Sequence, residues 1–115
     1  MVSPYIYVGL ESRKVFHSDP SVLFERLLSA VSGDFKIPAS VILSRRRWRD
    51  CIYARQIMVY ALRIHYRMTV TKIGLLLSRD HSTIIHATKQ HYNDYECSGE
   101  YREICDRILL KLGVL

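Results

Sequence analysis

The run Arg79-Asp80-His81-Ser82-Thr83 holds the side chains of this sequence that are best suited to specific polar recognition. It directly precedes the apolar pair Ile84-Ile85, which indicates the exposed start of a helix whose later turns are buried. In a DNA groove, an arginine can bridge a guanine, an aspartate can accept from a cytosine amino group, and a threonine offers thymine a methyl and a hydroxyl. The alternative is an ordinary capped helix in which Asp80 binds only the backbone.

Two helices joined by a short turn must position these side chains. Helical spacing of apolar residues predicts a short helix over 70–77 and a longer one over 80–96. Thr69 and Asp80 are expected to cap them, and Ser78-Arg79 is expected to form the turn between them. Such a pair is a helix-turn-helix candidate, in which the first residues of the second helix reach base edges in the major groove.

The rest of the chain predicts a helical frame for this pair. A helix is expected from Asp19-Pro20-Ser21 to a stop at Gly33, followed by a short helix over 37–44 and a long one over 50–66. A final helix is expected from Glu100. The predicted fold class is therefore all-α, with about six helices in one domain over 20–115, preceded by an arm over residues 1–19.

Positive charge is concentrated in the middle of the chain. The net charge is +6, and the 115 residues form a chain of ordinary domain size. From Lys36 to Lys89 there are eleven basic and two acidic residues, a net +9, whereas the remainder carries −3. Such asymmetry is typical of a protein with a polyanionic partner. A solvated basic face without a partner is the alternative.

Two motifs, in order and at a consistent separation, carry a resemblance to a known family. The run from Arg79 to Ala87 resembles the signature of the C-terminal DNA-binding domain of the bacterial replication initiator DnaA. Upstream, the run from Ile42 to Arg47 and the tripeptide Ala54-Arg55-Gln56 resemble the basic loop of that domain and the helix after it. The match is specific between about Leu43 and His91. It implies a Trp-repressor-like helix-turn-helix fold and a monomeric domain that recognises a short asymmetric duplex.

The resemblance also implies roles for individual residues. Arg47 is expected to enter the minor groove, where an arginine reads shape and negative potential. Arg55 and Gln56 are expected to contact phosphates, as are the basic residues nearby. The implied base contacts are Arg47, Arg79, Asp80, His81, Ser82 and Thr83, and the expected phosphate contacts are Arg45, Arg46, Arg49, Arg55, Gln56, Lys72 and Lys89.

Three departures from the family pattern leave the target sequence open. The turn before Arg79 is one residue shorter than usual, and Thr71-Lys72 stand where the family typically has Pro-Glu. Trp48 interrupts the basic loop, where it either anchors the loop on the core or stacks near the sugar-phosphate backbone. The initiator's ATPase module has no counterpart here, since the sequence has no Gly-x-x-x-x-Gly-Lys-Ser/Thr run.

The function expected from the sequence is site-specific binding of double-stranded DNA without ATPase activity or a bound nucleotide. A replication or regulatory protein is a possible second partner. The alternative is an interaction module that uses the same surface, or the tyrosine-rich segments, to modulate a replication initiator or regulator by binding protein.

Catalysis, metal binding and membrane insertion are not expected. Asp80-His81-Ser82 are sequence neighbours on one helix and cannot form a proton relay. His81, His86 and His91 lie five residues apart and point in different directions on a helix, and the three cysteines lack zinc-site spacing. No cofactor is implied. With no apolar run long enough for a membrane span and no signal peptide, a cytoplasmic, nucleoid-associated location is expected.

Overall fold

The computed structural model describes residues 19–114, so the arm predicted over 1–19 lies, apart from Asp19, outside the described residues. Every regular element of the described part is helical, which confirms the all-α prediction. Within it, no helix is both long enough and apolar enough to cross a membrane. The helices are α1 (Pro20–Phe35), α2 (Ala39–Ile42), α3 (Arg49–Tyr60), which continues into a π-helical turn (Ala61–His65), α4 (Val70–Leu77), α5 (His81–Cys97) and α6 (Gly99–Lys111).

Helix α1 begins as predicted but ends later. The Asp19 carboxylate accepts the backbone N–H of Ser21 at 2.7 Å, and Pro20 occupies the first turn. The predicted stop at Gly33 is wrong, because Lys36 takes the left-handed conformation (φ 59°) that ends the helix. The last turn therefore includes Asp34, whose carboxylate lies 2.8 Å from Arg107 of α6. Of the apolar stripe expected on α1, Leu23, Leu27, Leu28 and Val31 are buried, whereas Val22 is 51% exposed and Phe24 is buried in addition.

Helix α3 is the central support of the fold. Its residues Ala54 and Ile57 have no exposed surface, and it packs against α1, α2 and α5. The long helix predicted over 50–66 is present, but its last turn is π-helical, with the N–H of Tyr66 donating to the carbonyl of Ala61 at 3.1 Å. Arg67 follows with a positive φ of 58°. The apolar pattern did not predict the wider turn, within which Leu62 is buried and Ile64 is 42% exposed.

The predicted helix-turn-helix is formed by α4, a three-residue turn and α5. Thr69 caps α4 by accepting the N–H of Lys72 at 3.1 Å, and Asp80 caps α5 by accepting the N–H of Thr83 at 3.0 Å. Both caps were predicted. Buried side chains at Ile73, Leu77 and Ile84 pack the two helices together.

Gly74 lets the turn approach α4 closely. The N–H of Arg79 donates to the Gly74 carbonyl at 2.9 Å, and Ser78 between them has a φ of 56°. A Cβ added at Gly74 would lie 2.6 Å from the carbonyl oxygen of Arg79, which is closer than van der Waals contact allows. The tight turn therefore depends on the missing side chain.

A buried histidine lies where α3, α5 and α6 meet. His91 is 1% exposed, stacks on Tyr60 with ring centroids 3.9 Å apart, and shares a 2.6 Å hydrogen bond between its Nδ1 and the hydroxyl of Tyr101. Burial lowers the pKa of His91 to about 4, against a smaller opposing effect of Asp94. The imidazole is therefore neutral at physiological pH and acts as a polar core residue.

Gly74→Ala is expected to lower the free energy of unfolding by about 1–2 kcal/mol, measured by urea denaturation. Because the atom met is a backbone oxygen that cannot move aside like a flexible side chain, the overpacking cost is expected in the upper part of the usual range, about 2–3 kcal/mol, against the ~1 kcal/mol that alanine gains over glycine within a helix. Gly33→Ala is the matched control, because a Cβ there meets nothing within 4 Å. It should be neutral or stabilising. Equal stability of the Gly74 variant and the unchanged protein would contradict the close approach.

The free energy of unfolding is expected to decrease as the pH is lowered, because His91 resists protonation in the folded protein. The unfolded imidazole takes up a proton below about pH 6.5, whereas the folded one resists protonation until about pH 4. The free energy of unfolding should therefore be flat above about pH 6.5 and decrease below it. Asp34, whose pKa is lowered chiefly by its hydrogen bond to Arg107, loses its contribution only at more acidic pH.

The measurement is the difference between the unchanged protein and His91→Gln in urea denaturation from pH 7.5 to 4.5. The variant should have a shallower slope, and the remainder is expected from His65, whose pKa is also lowered by burial. NMR titration of the His91 imidazole in the unchanged protein tests the same point without a variant, and protonation of His91 near pH 6.5 would refute it.

Candidate nucleic-acid interface

The basic loop, residues 44–48, connects α2 to α3 and lies beside the start of α5. Arg55, in the second turn of α3, binds the backbone at this loop. Its Nε donates to the carbonyl of Ile42 at 2.7 Å, and its Nη2 donates to the carbonyls of Ser44 (2.9 Å) and Arg46. The loop is thus tied to the central helix by backbone acceptors, and its own arginine side chains remain exposed.

A second guanidinium reaches the same loop from the turn of the helix-turn-helix. Arg79 Nη2 donates to the Ser44 carbonyl at 2.6 Å, and its Nη1 donates to the carbonyl of Leu77 at 2.8 Å. We call the Ser44 carbonyl with the guanidinium groups of Arg55 and Arg79 the Ser44 junction. It joins the basic loop to α3 and to the start of α5 at one point.

The Ser44 junction concentrates positive charge. Burial lowers the pKa of Arg55, and the charges of Arg79 and Arg47 lower it further. Burial likewise lowers the pKa of Arg79, with a contribution from Arg45. Arginines nonetheless stay protonated at neutral pH, so their mutual repulsion is part of the folded state.

A cavity of about 320 Å³ lies between the basic loop and α5. None of the described residues that line it is acidic, so its four arginines are not neutralised within the cavity. A group that enters it meets a positive potential, which favours an anion. The lining residues are Arg45, Arg47, Ile52, Arg55, Gln56, Arg79, Thr83, His86, Ala87 and Gln90.

The first turn of α5 is organised by the carboxylate of Asp80. Its Oδ1 accepts the N–H and the hydroxyl of Thr83 at 3.0 and 2.8 Å, and the hydroxyl of Ser82 at 3.0 Å. The Thr83 hydroxyl, then the Thr83 N–H and the Ser82 hydroxyl, lower the pKa of Asp80. Because both hydroxyl hydrogens point to Asp80, Ser82 and Thr83 present acceptor oxygens outward, and Asp80 keeps Oδ2 for an external donor.

His81 is held from α4. Its Nε2 lies 3.0 Å from the hydroxyl of Thr71, one of the residues that depart from the family pattern. Both side chains are exposed, so the ring stands at the surface with its Nε2 held by Thr71. This contact gives the first residue of α5 a defined orientation.

The remaining predicted residues divide by environment. Arg45, Arg46 and Arg47 are exposed on the basic loop, and Lys72 and Lys89 are exposed on α4 and α5. Arg49 turns toward α6, where it lies 3.5 Å from Glu100.

Trp48 is 57% exposed, with the Arg46 guanidinium 5.0 Å from its ring centroid, so anchoring of the loop by Trp48 in the core is wrong. The ring packs on its own loop instead.

Gln56 and Arg55 are the two predicted phosphate contacts that the fold already uses. Gln56 is 3% exposed and donates to the Asp94 carboxylate at 2.9 Å. Arg55 is half-buried at the Ser44 junction. Their phosphate roles stay predictions, and each would require a donor beyond the hydrogen bonds described above.

Sequence reasoning missed two residues of this surface. His86 and Gln90 line the cavity, and both are exposed. Their positions three and seven residues after Thr83 place them on one helix face, and this spacing was the available signal. Arg63, in the π-helical turn, lies 3.3 Å from the Thr88 hydroxyl on α5 and extends the basic surface.

Comparison with known proteins identifies a family and several relatives. A family model described as the bacterial DnaA protein helix-turn-helix matches residues 24–90. Chromosomal replication initiator protein DnaA 2 of Protochlamydia amoebophila is 34% identical over 93 residues, covering 76% of this chain and 20% of that protein. The DnaA proteins of Bacteroides fragilis and Mycoplasma pneumoniae are 28% and 32% identical, covering 84% and 87% of this chain and 21% and 23% of theirs.

The chain thus spans about a fifth of the length of the curated relatives it matches. The family match covers most of the described helices, from α1 into α5, and includes the basic loop and the whole helix-turn-helix. On this evidence the chain belongs to the bacterial DnaA helix-turn-helix family.

Proposed function

We propose that this protein binds double-stranded DNA at a specific site, with the basic loop in the minor groove and the start of α5 in the adjacent major groove. The observation that carries the proposal is the Ser44 junction, which holds these two elements side by side around a cavity lined by four arginines. The relatives are named replication initiators, so we infer that the site is an initiator-type box and that the role is in replication initiation.

Major-groove readout would use the first turn of α5. Ser82 and Thr83 donate their hydroxyl hydrogens to Asp80 and so offer acceptors, which suit the amino groups of adenine and cytosine. The Thr83 methyl suits a thymine methyl. His81, held by Thr71, supplies a further directional contact. The capping geometry thereby determines which atoms of these side chains face the bases.

Minor-groove and phosphate contacts would come from the exposed cations. Arg47 is the proposed minor-groove residue, because a narrow minor groove favours an arginine by shape and potential. Arg45, Arg46, Lys72 and Lys89 would neutralise phosphates on either side. Arg49, next to Glu100, is a weaker candidate in this proposal. The proposal involves no ATP, because the sequence contains no P-loop run.

Binding should be specific and strongly salt-dependent. Fluorescence anisotropy with an initiator-type box, a scrambled duplex and the single strand should rank the box first. With four to six phosphates neutralised, log affinity should fall against log salt concentration with a slope of roughly −4 to −5. Equal affinity for the three nucleic acids, or a nearly flat salt dependence, would contradict the proposal.

Substitution of a base-contacting residue and of a phosphate-contacting residue should have different effects on DNA binding. His81→Ala should cost about 1–3 kcal/mol on the box and much less on scrambled duplex, so that specificity falls. Lys72→Ala, the matched control on the facing helix, should weaken both duplexes alike and reduce the salt slope by about one. The assignment of His81 to a base edge is wrong if both variants lower the two affinities equally.

A further inference from the structure

We propose that Arg79 is a positioning residue that sets the spacing between the minor-groove loop and the major-groove helix and does not itself contact a base. The part of this inference that concerns DNA binding rests on the proposed function. The contact between Arg79 and the Ser44 carbonyl, from which it is argued, is present in the protein without DNA. It changes the role expected for Arg79 from the sequence motif.

The guanidinium of Arg79 is occupied on two sides. Nη2 donates to the Ser44 carbonyl at 2.6 Å, and Nη1 donates to the carbonyls of Leu77 (2.8 Å) and Ser78 (3.3 Å). The acceptors belong to segments 35 residues apart in sequence. These hydrogen bonds use three of the five N–H donors of the guanidinium and hold it against the loop, so the side chain would have to leave these carbonyls to extend toward a base edge.

The backbone of the turn directs the side chain toward the loop. Ser78 adopts a left-handed conformation, and the N–H of Arg79 is bound by the Gly74 carbonyl at 2.9 Å. These contacts place Arg79 one residue before the cap of α5 and partly bury its side chain. The planar fork of an arginine matches two acceptors on different segments, which the point charge of a lysine does not.

Arg55 and Arg79 connect the basic loop to different parts of the fold. Arg55 fixes the loop to α3 through the carbonyls of Ile42, Ser44 and Arg46. Arg79 is the contact that relates the loop to α5. Removing Arg79 should therefore leave the loop attached to α3 but free to shift relative to the recognition turn. Arg47 would then lose its register with the residues that follow Asp80.

The first test needs no DNA. In 15N relaxation measurements on the free protein, Arg79→Ala and Arg79→Lys should both increase the backbone mobility of residues 44–48 and leave the last turns of α5 unchanged. Arg45→Ala is the matched control, because it removes one positive charge from the same cavity. It should leave the loop as rigid as in the unchanged protein. A loop that stays rigid without Arg79 would overturn the proposal, and thermal unfolding checks that each variant is folded.

The second test is a double-mutant cycle on the initiator-type box with Arg47→Ala, Arg79→Ala and the pair. If Arg79 acts through the loop, Arg79→Ala should weaken binding by about tenfold alone and by less than about twofold when Arg47 is already absent. A direct base contact would instead give the full loss in both backgrounds and would overturn the proposal. If the unchanged protein shows no preference for the box, the proposed function fails, and the relaxation test alone then decides the role of Arg79.

Discussion

The carbonyl oxygen of Ser44, which accepts from two guanidinium groups, is the contact on which the arrangement of this surface depends. Through it, the basic loop is tied to α3 by Arg55 and to the turn before α5 by Arg79. The acceptor of both arginines is a backbone carbonyl and not a carboxylate, so these hydrogen bonds organise the loop without a negative charge that would offset the two positive ones. The proposed interface is therefore rigid and positive, a combination that lowers the cost of ordering when a polyanion binds.

That rigidity has an electrostatic cost that a nucleic-acid partner would relieve. Burial and neighbouring arginines lower the pKa of Arg55 and Arg79, and the cavity between the loop and α5 has no acidic lining residue among those described. Acidic side chains are instead engaged elsewhere, for example Asp34 with Arg107 at the contact of α1 and α6. Four arginines from the basic middle of the chain thus meet at this one cavity of the folded domain.

Most of the helical frame could be predicted because its causes are local. Thr69 and Asp80 bind backbone N–H groups three residues ahead, and the apolar stripe of α1 repeats at helical spacing. The end of α1 could not be predicted, because Lys36 adopts a conformation that the sequence pattern assigns to glycine. The burial of His91 depends on Tyr60 of α3 and Tyr101 of α6, which reach it only when the three helices pack together.

The residue types of the site could be predicted from the sequence, but the contacts that each residue makes could not. An arginine that contacts DNA and one that holds a distant carbonyl look the same in a motif, so the contacts of Arg55 and Arg79 emerged only from the fold. The place of His86 in the cavity and the exposure of Trp48 could not be predicted for a related reason, since both depend on how the loop lies in the fold. Thr71 is a residue type that can form a hydrogen bond with His81, but the two side chains meet only because α4 packs against α5.

Methylation interference on an initiator-type duplex tests most directly whether the loop and α5 read DNA together. Dimethyl sulfate modifies guanine N7 in the major groove and adenine N3 in the minor groove, so one experiment reports on both surfaces. The account predicts two adjacent clusters of interference, one in each groove, within a single site. Interference confined to one groove, or absent from both, would contradict the claim that the Ser44 junction holds two DNA-reading elements in register.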